Sequence, residues 1–182
     1  MLFGYQENTF FIMFWNPMSQ DNKDVITFKP RAFNIVWGND SRYWRIPNPP
    51  RSFAPLSEEE AAELVQVSWL EVTGSCQVEP LTTYEISFTL SFNRNAFGWS
   101  GAPVFLMAKV GKKGKYKCRK LKEIDNLFEE PTDVPSNEDS FTVDSGQLQP
   151  DMRLYFGLYE VWSGKWKGGM RLHQAIVKEI SK

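Results

Sequence analysis

Ten residues, "TYEISFTLSF" from Thr83 to Phe92, alternate apolar and polar side chains without a break. In an extended chain successive side chains point to opposite faces. Tyr84, Ile86, Phe88, Leu90 and Phe92 therefore share one apolar face, and Glu85, Ser87, Thr89 and Ser91 share a polar one. A helix of 3.6 residues per turn would scatter these five apolar residues around its axis, so the pattern predicts a strand with one face in water. Such a face needs a second layer to cover it.

The rest of the chain supplies that layer. "PVFLMAKVG" and "RLYFGLYEVW" are apolar on both faces and read as central strands. "VITFKP", "AFNIVW", "VQVSWLEVTGS", "KYKCRKLK", "SFTVD" and "MRLHQAIVKEI" are further strand candidates. Helix signals are confined to "LSEEEAAEL", where Ser57 and Glu60 form a capping box and acidic residues occupy the first turn. "EIDNLFEEPTDVPSNEDS" reads as a long exposed loop. With many strands, one short helix and no βαβ spacing, the expected fold is all-β: an antiparallel β-sandwich or jelly roll.

At 182 residues the chain has room for one domain with a sizeable core. Residues 1–24 are set apart as an N-terminal extension, leaving 25–182 for the domain. The opening "MLFGYQENTFFIMFWNP" lacks a basic leader and a small-residue cleavage site, and it is too short and polar to span a bilayer. No membrane attachment is expected. A net charge of −1 gives no global field toward nucleic acid. Cys76 and Cys118 are too few for a disulfide framework or a zinc motif, which favours a reducing compartment. No metal cluster, Gly-rich phosphate loop or cofactor motif is legible, and His173, the one histidine, has no nucleophile motif beside it.

Two constellations remain. In "FNIVWGNDSRYWRIPNPP", Trp37 and Trp44 flank a Gly-Asn-Asp turn together with Asn39 and Arg42. Near the other end, "YEVWSGKWKGG" gathers Tyr159, Glu160, Trp162 and Trp166 around a Ser-Gly turn. Flat aromatic surfaces beside amides, carboxylates and guanidinium groups suit sugars, whose apolar C–H faces are ringed by hydroxyls. Trp69 and Trp99 read instead as core residues. Glu71 and Glu160 are the pair that a glycosidase reading would use, if they stand about 5 Å or about 6.5–9.5 Å apart. The sequon Asn39-Asp40-Ser41 would put a glycan beside both tryptophans in a secreted protein, so a site there agrees with cytosolic residence.

The second constellation is "GKKGKYKCRKLK", with seven basic residues in the eleven positions from Lys112 to Lys122. Lys112, Lys113, Lys115, Lys117 and Arg119 are candidate phosphate contacts for RNA, with Tyr116 as a stacking partner. The alternative is an edge strand guarded by lysines.

The blocks "FKPRAFNIVWGNDSRYWRIP", "ELVQVSWLEVTGS", "TTYEISFTLSF", "AFGWSGAPVFLMAKVGKKGKYK" and "LYFGLYEVWSGKWKGGMRLHQAIV" together resemble the phloem protein 2 lectin family of plants, close to the cucurbit phloem lectins and related to the Nictaba-like lectins. The resemblance covers roughly residues 27–178. It implies a β-sandwich lectin that binds N-acetylglucosamine oligomers or the chitobiose core of N-glycans, without catalysis. It also implies a homodimer resident in the cytoplasm, the nucleocytoplasm or phloem sap. The family's W-x6-W pair, linked to sugar binding, matches Trp37 and Trp44, and its C-terminal glutamate and tryptophan match Glu160 and Trp166. Some relatives are tied to RNA transport and to disulfide cross-linking, for which only Cys76 and Cys118 are present. The resulting expectation is one shallow groove. Trp37 and Trp44 stack under sugar rings, Asn39, Arg42 and Glu160 bond hydroxyls, and Trp166 or Tyr159 receives an acetamido methyl.

Overall fold

In the computed structural model the described residues are 24–48 and 61–181. Twelve strands run in chain order: β1 Val25–Phe28, β2 Asn34–Ile35, β3 Trp44–Arg45, β4 Ala62–Leu64, β5 Leu70–Gln77, β6 Thr83–Phe97, β7 Phe105–Val110, β8 Lys117–Lys120, β9 Thr132–Val134, β10 Thr142–Asp144, β11 Arg153–Glu160 and β12 Gly168–Ser181. They form two antiparallel sheets. Sheet A is built on the long pair β6 and β12; sheet B has the order β2-β5-β11-β7-β8. Along β12, opposite β6, β1 pairs near Lys178 and β4 near Leu172. Along the free edge of β6, β10 and β9 lie in succession.

The alternation of β6 places its apolar face inward: Ile86, Phe88 and Leu90 are fully buried, and Tyr84 and Phe92 nearly so. β11, the middle strand of sheet B, buries Leu154, Phe156 and Leu158 against them. Phe28 and Phe88 from sheet A meet Phe156 from sheet B at ring separations of 5.0 and 6.0 Å. Such offset and edge contacts suit aromatic quadrupoles. This all-β sandwich is what the alternation required.

Two expectations need correction. Ala62–Leu64, the end of the expected helix, is strand β4, and residues 56–60 of that helix lie outside the described residues. Ala62 and Leu64 point into the core, where pairing with β3 and β12 outweighs local helix propensity. The acidic segment is not simply an exposed loop. It contributes β9, and Ile124 and Val134 reach the core. Trp99, by contrast, is a core residue as read, and its indole N–H donates to the Gly168 carbonyl at 2.9 Å. Among the described residues, no helix is long and apolar enough to cross a membrane, and no cluster of three or more His, Cys, Asp or Glu could hold a metal ion.

Candidate functional site

At one end of the sandwich β2 gives way to the Trp37 turn, β5 begins after Trp69, β11 ends before Trp162, and β12 begins after Trp166. Val36 donates to the Glu71 carbonyl at 3.1 Å, and Val67 and Lys167 exchange backbone hydrogen bonds at 2.9 Å. These links draw the four segments together. The expected meeting of the two aromatic turns is therefore realised, through a residue that sequence reasoning passed over. The Tyr43 ring lies 5.5 Å from that of Trp37 and 6.5 Å from that of Trp166, near-parallel to the latter. Trp37 is 56% exposed and Trp166 52%. Arg42 lies 5.5 Å over Tyr43 and grips Asp40 at 2.7 Å, a pair that holds the Asp40 carboxyl below its usual range. Asn39 is exposed on the same turn.

Trp37 occupies the left-handed region, at φ 64°. Gly38 donates to the Ile35 carbonyl at 2.9 Å, so Trp37 fills the third position of a tight turn, where glycine or asparagine is usual. A large residue held there costs about 1–2 kcal/mol, and strain of this kind gathers at functional sites.

Trp44 has the opposite fate. It is 2% exposed, on β3, and packs into the core. The turn does not aim both indoles outward, because β3 pairs with β4 and directs Trp44 into the core. Trp69, read as core, is 47% exposed at the start of β5, and its indole N–H donates to Glu71 Oε2 at 2.9 Å. Trp162 is also exposed and packs edge-on against Phe105 at 5.3 Å. The i, i+2 spacing of Trp69 and Glu71 was the available signal for that pair. Nothing in the sequence singles out Tyr43.

Glu160 is fully buried on the inner side of β11, 2.5 Å from Lys167, which is equally buried. Its carboxylate also accepts from the Ser163 N–H at 3.0 Å and hydroxyl at 2.9 Å, and Lys167 donates to the Ser68 carbonyl at 3.2 Å. Burial alone would raise the Glu160 pKa, but the Lys167 and Ser163 bonds outweigh it and the pKa is lowered. Every strong partner of Glu160 is internal, so it fixes the Trp162–Trp166 turn from below. Glu71 faces outward on the neighbouring β5, paired with Tyr159. The two carboxylates thus lie on opposite faces of sheet B, which rules out a glycosidase pair. Tyr159 belongs to the outer face of the sheet and not to the aromatic row.

The basic segment forms the β7–β8 turn and the outermost strand of sheet B. Lys117 donates to the Thr142 carbonyl at 2.6 Å, Arg119 pairs with Asp139 and donates to the Ser140 carbonyl, and Lys120 pairs with Asp125 at 2.8 Å. Lys112, Lys113 and Lys115 are exposed on the turn. This is the arrangement of an edge strand protected by charge. Cys76 and Cys118 are both free thiols, with three strand steps between β5 and β8. That is roughly 14 Å, beyond the reach of a mutual disulfide.

Comparison with known proteins agrees with the residue blocks. The family model described as Phloem protein 2 matches residues 23–178. Protein PHLOEM PROTEIN 2-LIKE A9 of Arabidopsis thaliana is 44% identical over 174 residues, covering 90% of this chain and 92% of that one. A protein named Lectin from Luffa acutangula is 33% identical over 76 residues, 38% of this chain and 33% of its own length. Among solved structures, the CBM22-1 xylan-binding domain of Paenibacillus barcinonensis Xyn10C matches at a TM-score of 0.46 and 10% identity, over 87% of this chain and 96% of that one; so loose a match fixes no function. With most of the sandwich inside the matched span and a relative this similar along nearly its whole length, the chain belongs to the phloem protein 2 family.

Proposed function

We propose that this chain is a lectin that binds N-acetylglucosamine oligomers on the aromatic end of its sandwich. The observation that carries the proposal is the row Trp37–Tyr43–Trp166, its two tryptophans exposed, in which a strained turn holds one of them outward. A core-filling role gives no reason for that strain. The rings offer apolar faces to successive pyranoses, and Asn39 and Arg42 stand beside them for hydroxyl and acetamido groups. Trp44 and Glu160 act underneath, as anchors of β3 and of the Trp162–Trp166 turn. The row is open and shallow, so each stacked ring should add about 1 kcal/mol. Membership in a family with a lectin-named relative supports the same reading. Cytoplasmic or phloem-sap residence and a homodimer belong to the proposal as well.

Titration calorimetry with chitin oligomers of one to five sugars, at low and high salt, tests it. Affinity should rise with length, level off once the row is covered, and hardly respond to salt. Trp37→Ala and Trp166→Ala should each weaken it about fivefold. Equal affinity for monomer and trimer refutes the row. No heat with any oligomer shifts the function to RNA and the exposed lysines, where binding should fall steeply with salt. If Trp37→Ala alters only the sedimentation coefficient, the row is a subunit interface.

A further inference from the structure

We infer that the outer face of sheet B carries a second groove, separate from the aromatic row, for a neutral, hydroxyl-rich sugar chain. A cavity of about 380 Å³ opens there, within the range of small-ligand pockets. Its sides are Tyr116, Tyr155 and Tyr159, and its polar groups include Asn34, Glu71 and Thr73. The register explains this composition. Tyr155, Gly157 and Tyr159 alternate outward on β11 and pair with Ser75, Thr73 and Glu71 of β5, while Asn34 of β2 pairs with Thr73. Two tyrosines thus stand on either side of a position without a side chain. A Cβ at Gly157 would run into the Val72 carbonyl oxygen, so no side chain can stand between the two tyrosines.

The walls are held in place. Lys109 lies 4.6 Å over the Tyr116 ring and 6.0 Å from that of Tyr155, with its ammonium tied to the Lys112 carbonyl at 2.7 Å. Tyr155 donates to Asp151 at 3.2 Å. Burial, then Tyr116 and Glu71, push the Tyr159 hydroxyl well above its usual pKa, so it stays a neutral hydrogen-bonding group at any working pH. The lining itself has one carboxylate and neither lysine nor arginine, and the flanking Lys109 and Arg153 are engaged by the Lys112 carbonyl and the Ser75 hydroxyl. Flat phenol faces, several hydroxyls, one amide and one carboxylate are the partners that a neutral sugar uses. Because the groove is read from its own lining, it stands or falls independently of the aromatic row.

The test is amide NMR of the isotope-labelled full chain titrated with chitotriose, cellotriose and xylotriose, and with a short single-stranded RNA. At least one sugar should shift the Thr73, Gly74 and Ser75 amides saturably. Tyr116→Ala, and independently the isosteric Thr73→Val, should weaken that groove response about fivefold while leaving the Trp37 and Trp166 indole signals unchanged. If the sugars move the indoles and never the groove, the groove is refuted and the aromatic row stands. A groove response without an indole response supports the groove and removes the row. Groove shifts produced by RNA and by no sugar overturn the inference.

Discussion

Glu160 and Lys167 give the sharpest test of how this end of the sandwich works. Both side chains are fully buried, 2.5 Å apart, and each has a further partner inside the protein. Lys167→Met leaves a buried carboxylate with only the Ser163 donors; Glu160→Gln leaves a buried ammonium facing a neutral amide. Removing one partner of such a pair costs about 3–5 kcal/mol. For a chain of this length that lowers the melting temperature by roughly 6–20 °C. The double variant should recover most of the loss, because a neutral pair of similar volume leaves no charge uncompensated. Lys167→Met also carries a pH signature. Removing Lys167 takes away the largest of the bonds that hold the Glu160 pKa down, so the deficit should shrink as acid protonates the carboxyl. Calorimetric melting of the four proteins between pH 4.5 and 7.5 closes the cycle. The assignment fails if each single variant melts within about 2 °C of wild type while Glu160→Gln alone loses sugar binding. Glu160 would then be a sugar contact and not an anchor.

Other expectations are briefer. Trp37→Gly should melt about 1–3 °C above Trp37→Ala, since glycine is unstrained at φ 64° and relief of 1–2 kcal/mol exceeds its extra unfolded-state entropy; equal melting points would mean the turn is not strained. Burial, then Arg171 and Lys29, hold the His173 pKa below its usual value. Its stabilisation should be complete above about pH 6.5 and lost as pH falls below that, a slope in melting temperature that His173→Asn should flatten. Burial pushes the Cys76 thiol up to about 11, whereas Cys118 is exposed. A thiol reagent at pH 8 should therefore titrate one fast equivalent, with the second appearing only on unfolding; two fast equivalents would contradict the placement of Cys76.

The fold was legible wherever one face of an element met water. β6, β7 and β11 declared themselves because burial on one or both faces leaves a pattern of period two or a solid apolar run. β4 did not, since its Ala62 and Leu64 sit at the end of a segment with strong local helix signals. At the site, residue type was readable and direction was not. Trp37 and Trp44 look equivalent in sequence, yet a left-handed residue turns one outward and a two-residue strand turns the other inward. Trp69 was misjudged because its solvent exposure depends on its lying just before β5, a boundary that an apolar run does not mark. Glu160 stands out in sequence as a carboxylate among aromatics, but only the structure shows Lys167 beneath the turn, seven residues later.

The long pairing in sheet A also sets an order of assembly. All five strands of sheet B lie between Asn34 and Glu160, so that sheet can zip as the chain emerges. Sheet A cannot. Val25 must wait for Lys178, and β6 finds its main partner only in β12. Until then the Phe88 face of β6 and the edge of β1 are open to other chains, the kind of surface on which nascent proteins aggregate. Sheet B is thus born first, and its hydrophobic back depends on the last strand to arrive.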